Sequence, residues 1–149
     1  MRVEIDQSGK VEQLDTDTVI AYANGKSNAV VIKAGLKRRL IQHLRPRLYP
    51  GNEPVFLIFV VAIYILLEKM PNGTTLIIDE EYTGKESYIR KVLETLLNKR
   101  FHGKWLGNIR FERIGKGSPA HNLCYQLHRK GQHRGYRSLK FDEIAKYLE

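Results

Sequence analysis

The residues of this chain that are equipped for chemistry sit at informative places. Asp6 ends the alternating run in VEIDQSG, Asp79 ends the apolar run in TLIIDEEY with Glu80 and Glu81 directly behind it, and Glu53 precedes the proline of GNEPVF. His121 stands in SPAHNLCYQL, where Ser118-Pro119 has the form of a helix start. Mg²⁺ and Mn²⁺ prefer oxygen donors, and a single imidazole suits Mn²⁺. A cluster of carboxylates holding two such ions, about 3.5–4 Å apart, is equipment for phosphodiester hydrolysis. Each residue also has a plainer reading. Asp6 can open a turn before Gly9, Asp79-Glu80-Glu81 can be a solvated loop or a helix N-terminal charge, Glu53 can be a helix N-terminal acid, and His121 a surface residue in the first turn of its helix.

The elements that must position these residues follow from periodicity. Residues 2–6 alternate Val3 and Ile5 against Arg2, Glu4 and Asp6, a strand pattern that 10–14 extends as a return strand. Runs 18–23 and 28–33 flank Asn24-Gly25, a hairpin signal. Residues 36–45 carry Leu36, Leu40, Ile41 and Leu44 at helical spacing, and Pro54 opens a helix to about Lys69. Strands follow at 74–79 and 109–114, helices at 84–101, from Ser118, and at 141–148. Residues 54–67 are almost continuously apolar, but fourteen residues fall short of the ~20 a membrane helix needs. That segment reads as a buried core helix. Three antiparallel strands followed by βαβ-type crossovers give a mixed sheet with helices on both faces.

Short right-handed crossovers put the fourth and fifth strands parallel, with the preceding helix antiparallel to the fourth strand. Glu53, Asp79 and His121 then meet at one edge of the sheet. Glu68, fifteen residues beyond Glu53 and roughly 22 Å away at 1.5 Å per residue, belongs at the other edge.

This order of elements resembles the ribonuclease H-like superfamily, whose members run three antiparallel strands, helix, strand, helix, strand, helix. The resemblance covers most of the chain through order and placement and names no subfamily. It implies a five-stranded mixed sheet, with elements in the order β-β-β-α-α-β-α-β-α-α, in one domain spanning 1–149. Residues 36–47 are then a basic helical insertion, and 129–149 a basic loop with a short helix. It also implies a divalent-metal-dependent endonuclease with a two-metal Mg²⁺ or Mn²⁺ site. The family places a carboxylate in the first strand, one at the start of the first core helix and one at the end of the fourth strand, with an Asp or His in a late helix. Asp6, Glu53, Asp79 and His121 stand at those positions, and Glu81 points the same way as Asp79. A histidine at the late position is similar to Argonaute-type slicers, whereas common ribonucleases H carry Asp there. The rival expectation is a non-catalytic nucleic-acid-binding module that kept the fold.

Charge agrees with a polyanionic partner, either RNA/DNA hybrid or structured nucleic acid. The 149 residues carry a formal charge of +9 and a pI near 9.7. Residues 18–52 hold seven Lys/Arg and no acid, and 98–140 hold eleven against Glu112 alone. The expected phosphate contacts are Lys37, Arg38, Arg39, Arg45, Arg47, Lys116, Arg129, Lys130 and Arg134. The single cysteine, Cys124, excludes an internal disulfide and a Cys-rich zinc site. It sits on an apolar helical face and reads as core rather than as a nucleophile. Thr83-Gly84-Lys85 lacks the upstream glycine of a phosphate-binding loop. With no signal-peptide pattern at the start, a cytoplasmic location is expected.

Overall fold

The alternation in residues 2–6 becomes β1 (Arg2–Ser8), and the β-branched runs either side of Asn24-Gly25 become β2 (Thr18–Asn24) and β3 (Lys26–Ile32). Gly25 takes the φ of 70° that this tight reversal requires. There follow α1 (Ala34–Leu44) with a 3₁₀ turn at Arg45–Arg47, α2 (Pro54–Leu66), β4 (Thr75–Asp79), α3 (Glu86–Arg100), β5 (Asn108–Glu112), α4 (Pro119–Lys130), β6 (Arg137–Ser138) and α5 (Phe141–Ala145). These elements are seen in a computed structural model that describes residues 1–48, 53–130 and 136–148.

The sheet is mixed, with strand order β5-β4-β1-β2-β3-β6. β1 and β3 run antiparallel to β2, while β4 is parallel to β1, β5 to β4 and β6 to β3. β1 and β4 are direct neighbours, with Ile5 opposite Ile78. Two expectations need correction. The sheet has six strands rather than five, because Arg137 and Ser138 pair with Val30 and Val31. Two residues are too few to display a period. Residues 10–14 form no strand either: Gln13 N–H donates to the Lys10 carbonyl at 2.9 Å in a turn, and the return strand begins at Thr18. Gly9 (φ 69°) lets this loop fold tightly, since a Cβ there would lie 2.1 Å from the Asp17 carbonyl oxygen and 2.6 Å from His128 Nε2.

The two faces of the sheet are covered differently. Val3, Ile5, Ile20, Ile32, Leu76 and Ile78 join α1, α2, α3 and α5 in the main core. There Ile58, Val60, Ala62 and Ile63 of α2 are fully buried, which explains a helix with no polar stripe. α2 ends at Leu66, and Met70 N–H closes a turn on the Leu67 carbonyl. On the opposite face α4 covers β1 and β2, burying Val19, Ala21, Ala29 and Val31 against Cys124. No helix among the described residues is long and apolar enough to cross a membrane.

Candidate metal centre

β1 and β4 are adjacent and parallel, so their C-terminal ends meet at one sheet edge. The alternation that sends Val3 and Ile5 into the main core sends Asp6 to the α4 side. Asp6 is 4% exposed. Its Oδ1 accepts the Gln7 N–H at 2.8 Å, and its Oδ2 lies 2.9 Å from His121 Nδ1. Asp79 closes β4, and its Oδ1 accepts the Ile114 N–H at 2.7 Å. Two residues on, the backbone turns as Glu81 N–H donates to the Asp79 carbonyl at 2.8 Å, which brings Glu81 back toward the strand ends. Asp6, Asp79 and Glu81 each present an oxygen within 4.8 Å of the others.

Crowding these anions has an electrostatic cost. Burial raises the Asp6 carboxyl above its ordinary pKa, and the Asp79 charge adds to this, against the lowering effect of the Gln7 N–H and His121. Burial also raises Glu81, as do its hydrogen bond to Asp79 and the Asp79 charge, while Lys10 works the other way. Lys10 Nζ stands 3.4 Å from Glu81 Oε2. Partly buried carboxylates at this spacing favour a bound cation. The donor set fits Mg²⁺ or Mn²⁺, being all oxygen.

The three acids line a cleft of about 520 Å³ with Glu80, Arg113, Lys116 and His121. Acids and cations thus line the same cleft. Buttressing comes from behind. The Cys124 thiol donates to the Asp6 carbonyl at 3.1 Å, and its pKa is pushed well up by burial and then by the Asp6 charge. Such a thiol is no nucleophile. Tyr82 accepts from Gln7 Nε2 at 3.0 Å and donates to Glu12 at 2.8 Å, tying loop 9–17 to the segment after β4.

Of the expected ligands, the fold brings together Asp6, Asp79 and Glu81. Glu53 is a correction. It is the exposed N-cap of α2 and belongs neither to the carboxylate group nor to the cleft lining. α2 packs on the other face of the sheet, so a shared edge does not bring its first residue to the acids. His121 reaches the site through Asp6, with Nδ1 already engaged there, and lies outside the compact oxygen group. Lys10 and Arg113 were missed. Lys10 follows Asp6 through the Ser8-Gly9 turn, a proximity the sequence displayed.

Of the expected phosphate contacts, Lys37 is the second correction. It is fully buried, and its ammonium donates to the Lys10 and Gln13 carbonyls and, at 2.9 Å, to Thr18 Oγ1. All of its protons face protein oxygens, so none is offered to a phosphate. Arg38, Arg39, Arg45 and Arg47 are exposed. Arg38 donates to the Leu14 carbonyl at 2.7 Å, and Arg39 stacks 4.8 Å over the Phe141 ring of α5. These arginines therefore belong to the helical layer behind the sheet, not to the cleft wall. Lys116 and Arg129 are exposed on the α4 side, whereas Arg134 and the Lys130 side chain lie outside the described residues.

Comparison with protein-family models gives no match for this chain, and comparison with curated proteins gives none.

Proposed function

We propose that this protein is a divalent-metal-dependent nuclease of the ribonuclease H-like class, acting on RNA/DNA hybrid or structured nucleic acid. One observation carries the reading: three carboxylates from β1 and the segment that ends β4 converge within 4.8 Å in a cleft that Arg113 and Lys116 also line. The order of elements supports it, with an acid in the first strand, an acid ending the fourth and a histidine in the helix after the fifth.

When bound at this cluster, divalent ions supply charge neutralisation at the scissile phosphate and activation of a water. The chain's own residues do the rest. Asp6 is held rigid by the Gln7 amide and His121, and Asp79 by the Ile114 amide, so both present fixed oxygens. Arg113 and Lys116 draw in the phosphate, which the acids alone would repel.

A second reading, a nucleic-acid-binding module without cleavage, is favoured by the position of Glu53. The resemblance implies an acid there that this cluster does without. The deciding experiment is a cleavage screen over single strands, duplexes, hybrids and junctions in Mg²⁺ and in Mn²⁺, with Asp79→Asn in parallel. Metal-dependent cleavage absent from the variant is expected. Equal cleavage by both proteins, or binding with no cleavage by either, transfers the site to the binding module.

A further inference from the structure

A second cleft, of about 590 Å³, opens on the same face of the sheet at the far end of β1. Its lining includes Arg2 and Glu4 of β1, Asn24 and Ser27 around the hairpin, Lys26, and Pro119 at the start of α4. We propose that this cleft is a phosphate subsite holding the backbone of the nucleic-acid strand that the carboxylate cleft receives. The proposal rests on the nuclease reading only for what occupies the first cleft.

The two clefts are aligned by β1 itself. Arg2, Glu4 and Asp6 are alternate residues and project to the α4 side, and α4 runs along them. Pro119 borders the Arg2 cleft, while His121, in the same helical turn, touches Asp6. Between the two, Ser118 Oγ donates to Glu4 Oε1 at 3.1 Å, so the one acid of the second lining is already engaged.

The chemistry of the two ends is complementary. The Asp6 end is anionic and takes a phosphate only with a cation between. The Arg2 end presents a guanidinium and an ammonium, both exposed and neither ion-paired among the described residues. It takes a phosphate without metal. Arg2 and Asp6 are four residues apart, roughly 13 Å at about 3.3 Å per residue. That separation puts both clefts within reach of one nucleic-acid strand, a few nucleotides apart at most. The volume lies within the range of about 300–1,000 Å³ usual for ligand clefts, suiting a sugar–phosphate segment better than a lone ion. Such contacts set register and carry no sequence information.

The test is anisotropy of a labelled RNA/DNA hybrid in EDTA across a salt series. It compares wild type, the double variant Arg2→Gln/Lys26→Gln, and a control with the same charge loss, Lys91→Gln/Lys99→Gln, on α3 behind the sheet. The Arg2 backbone carbonyl that accepts from Asn24 Nδ2 is untouched by the substitution, and circular dichroism checks folding. The expected result is affinity about 10-fold lower for Arg2→Gln/Lys26→Gln at low salt, with a log–log salt slope shallower by about 1–2, at ~0.9 per phosphate. The control should keep the wild-type slope. An unchanged slope, an equal loss in the control, or a wild type that binds no nucleic acid overturns the subsite. Failure of the nuclease reading looks different: no cleavage in Mn²⁺, with the selective slope change intact.

Discussion

The two faces of the sheet are built to opposite rules. Behind the sheet, α1, α2, α3 and α5 close over an apolar surface in which α2 has scarcely a polar contact to make. In front, α4 covers β1 and β2, and beside it stand Asp6, Glu4 and Arg2 with two open clefts. Burial of each large aliphatic side chain contributes about 1.5–3 kcal/mol, so the rear layer, with the larger cluster of buried residues, supplies the greater share of the apolar stabilisation. The front holds three crowded carboxylates, and two of them, Asp6 and Glu81, have pKa values raised by burial and by the Asp79 charge. Under the proposed function, stability and chemistry are divided between the faces, and substitutions on one should leave the property of the other nearly alone.

The sharpest way to break this division is Asp79→Asn. The variant keeps a carbonyl oxygen for the Ile114 amide but loses the charge, so metal-dependent cleavage should fall by about 1,000-fold or more. Its melting temperature should not fall, because removing one anion relieves repulsion on Asp6 and Glu81. A variant as active as wild type, in a preparation cleared of contaminating nuclease, or one that unfolds, breaks the comparison. Ile63→Ala is the mirror image. Ile63 is 0% exposed in α2, and its truncation should cost about 2–5 kcal/mol in urea unfolding. The folded fraction should keep the wild-type cleavage rate; a large loss of rate would mean that the rear layer shapes the site.

His121→Ala should be milder, weakening metal-dependent activity by about 10–100-fold because Asp6 loses a partner that orients it. Titrating Mn²⁺ and Mg²⁺ separately checks this. An effect as large as that of Asp79→Asn would make His121 a direct ligand.

The smallest effect concerns Lys37, whose ammonium burial pushes down from 10.5 to about 8, against the raising influence of Asp17, Glu12 and Asp15. Between about pH 8 and 10.5 the unfolded chain holds a proton that the native state has released, so this group's contribution to stability rises with pH. Below pH 8 both states are charged and the contribution is flat. Urea midpoints of wild type and Lys37→Met at pH 7 and pH 9.5 isolate it. The difference, wild type minus variant, should shift in favour of wild type at the higher pH. A constant difference would mean that Lys37 stays charged in its cage of oxygens.

Much of this was determined by the sequence alone. Period-2 alternation in residues 2–6, the Asn24-Gly25 hairpin and the apolar length of 54–67 are local signals, and each produced its element. The approach of Asp6 to Asp79 was legible through the resemblance, which implies one acid in the first strand and another at the end of the fourth, whereas the crossover argument reached only the fourth and fifth strands. Only the tertiary structure decided what depends on which face an element packs against. Glu53 begins a helix at the expected edge yet behind the sheet, and Lys37 reads as one more cation in Lys37-Arg38-Arg39 until the loop at 10–18 closes over it. β6 exists because β3 offers an edge to pair with, and Lys10 reaches Glu81 because Gly9 turns the chain. Local periodicity fixes which residues share a side of an element; the layer that side faces is set by packing among residues far apart in the chain, which no short window records.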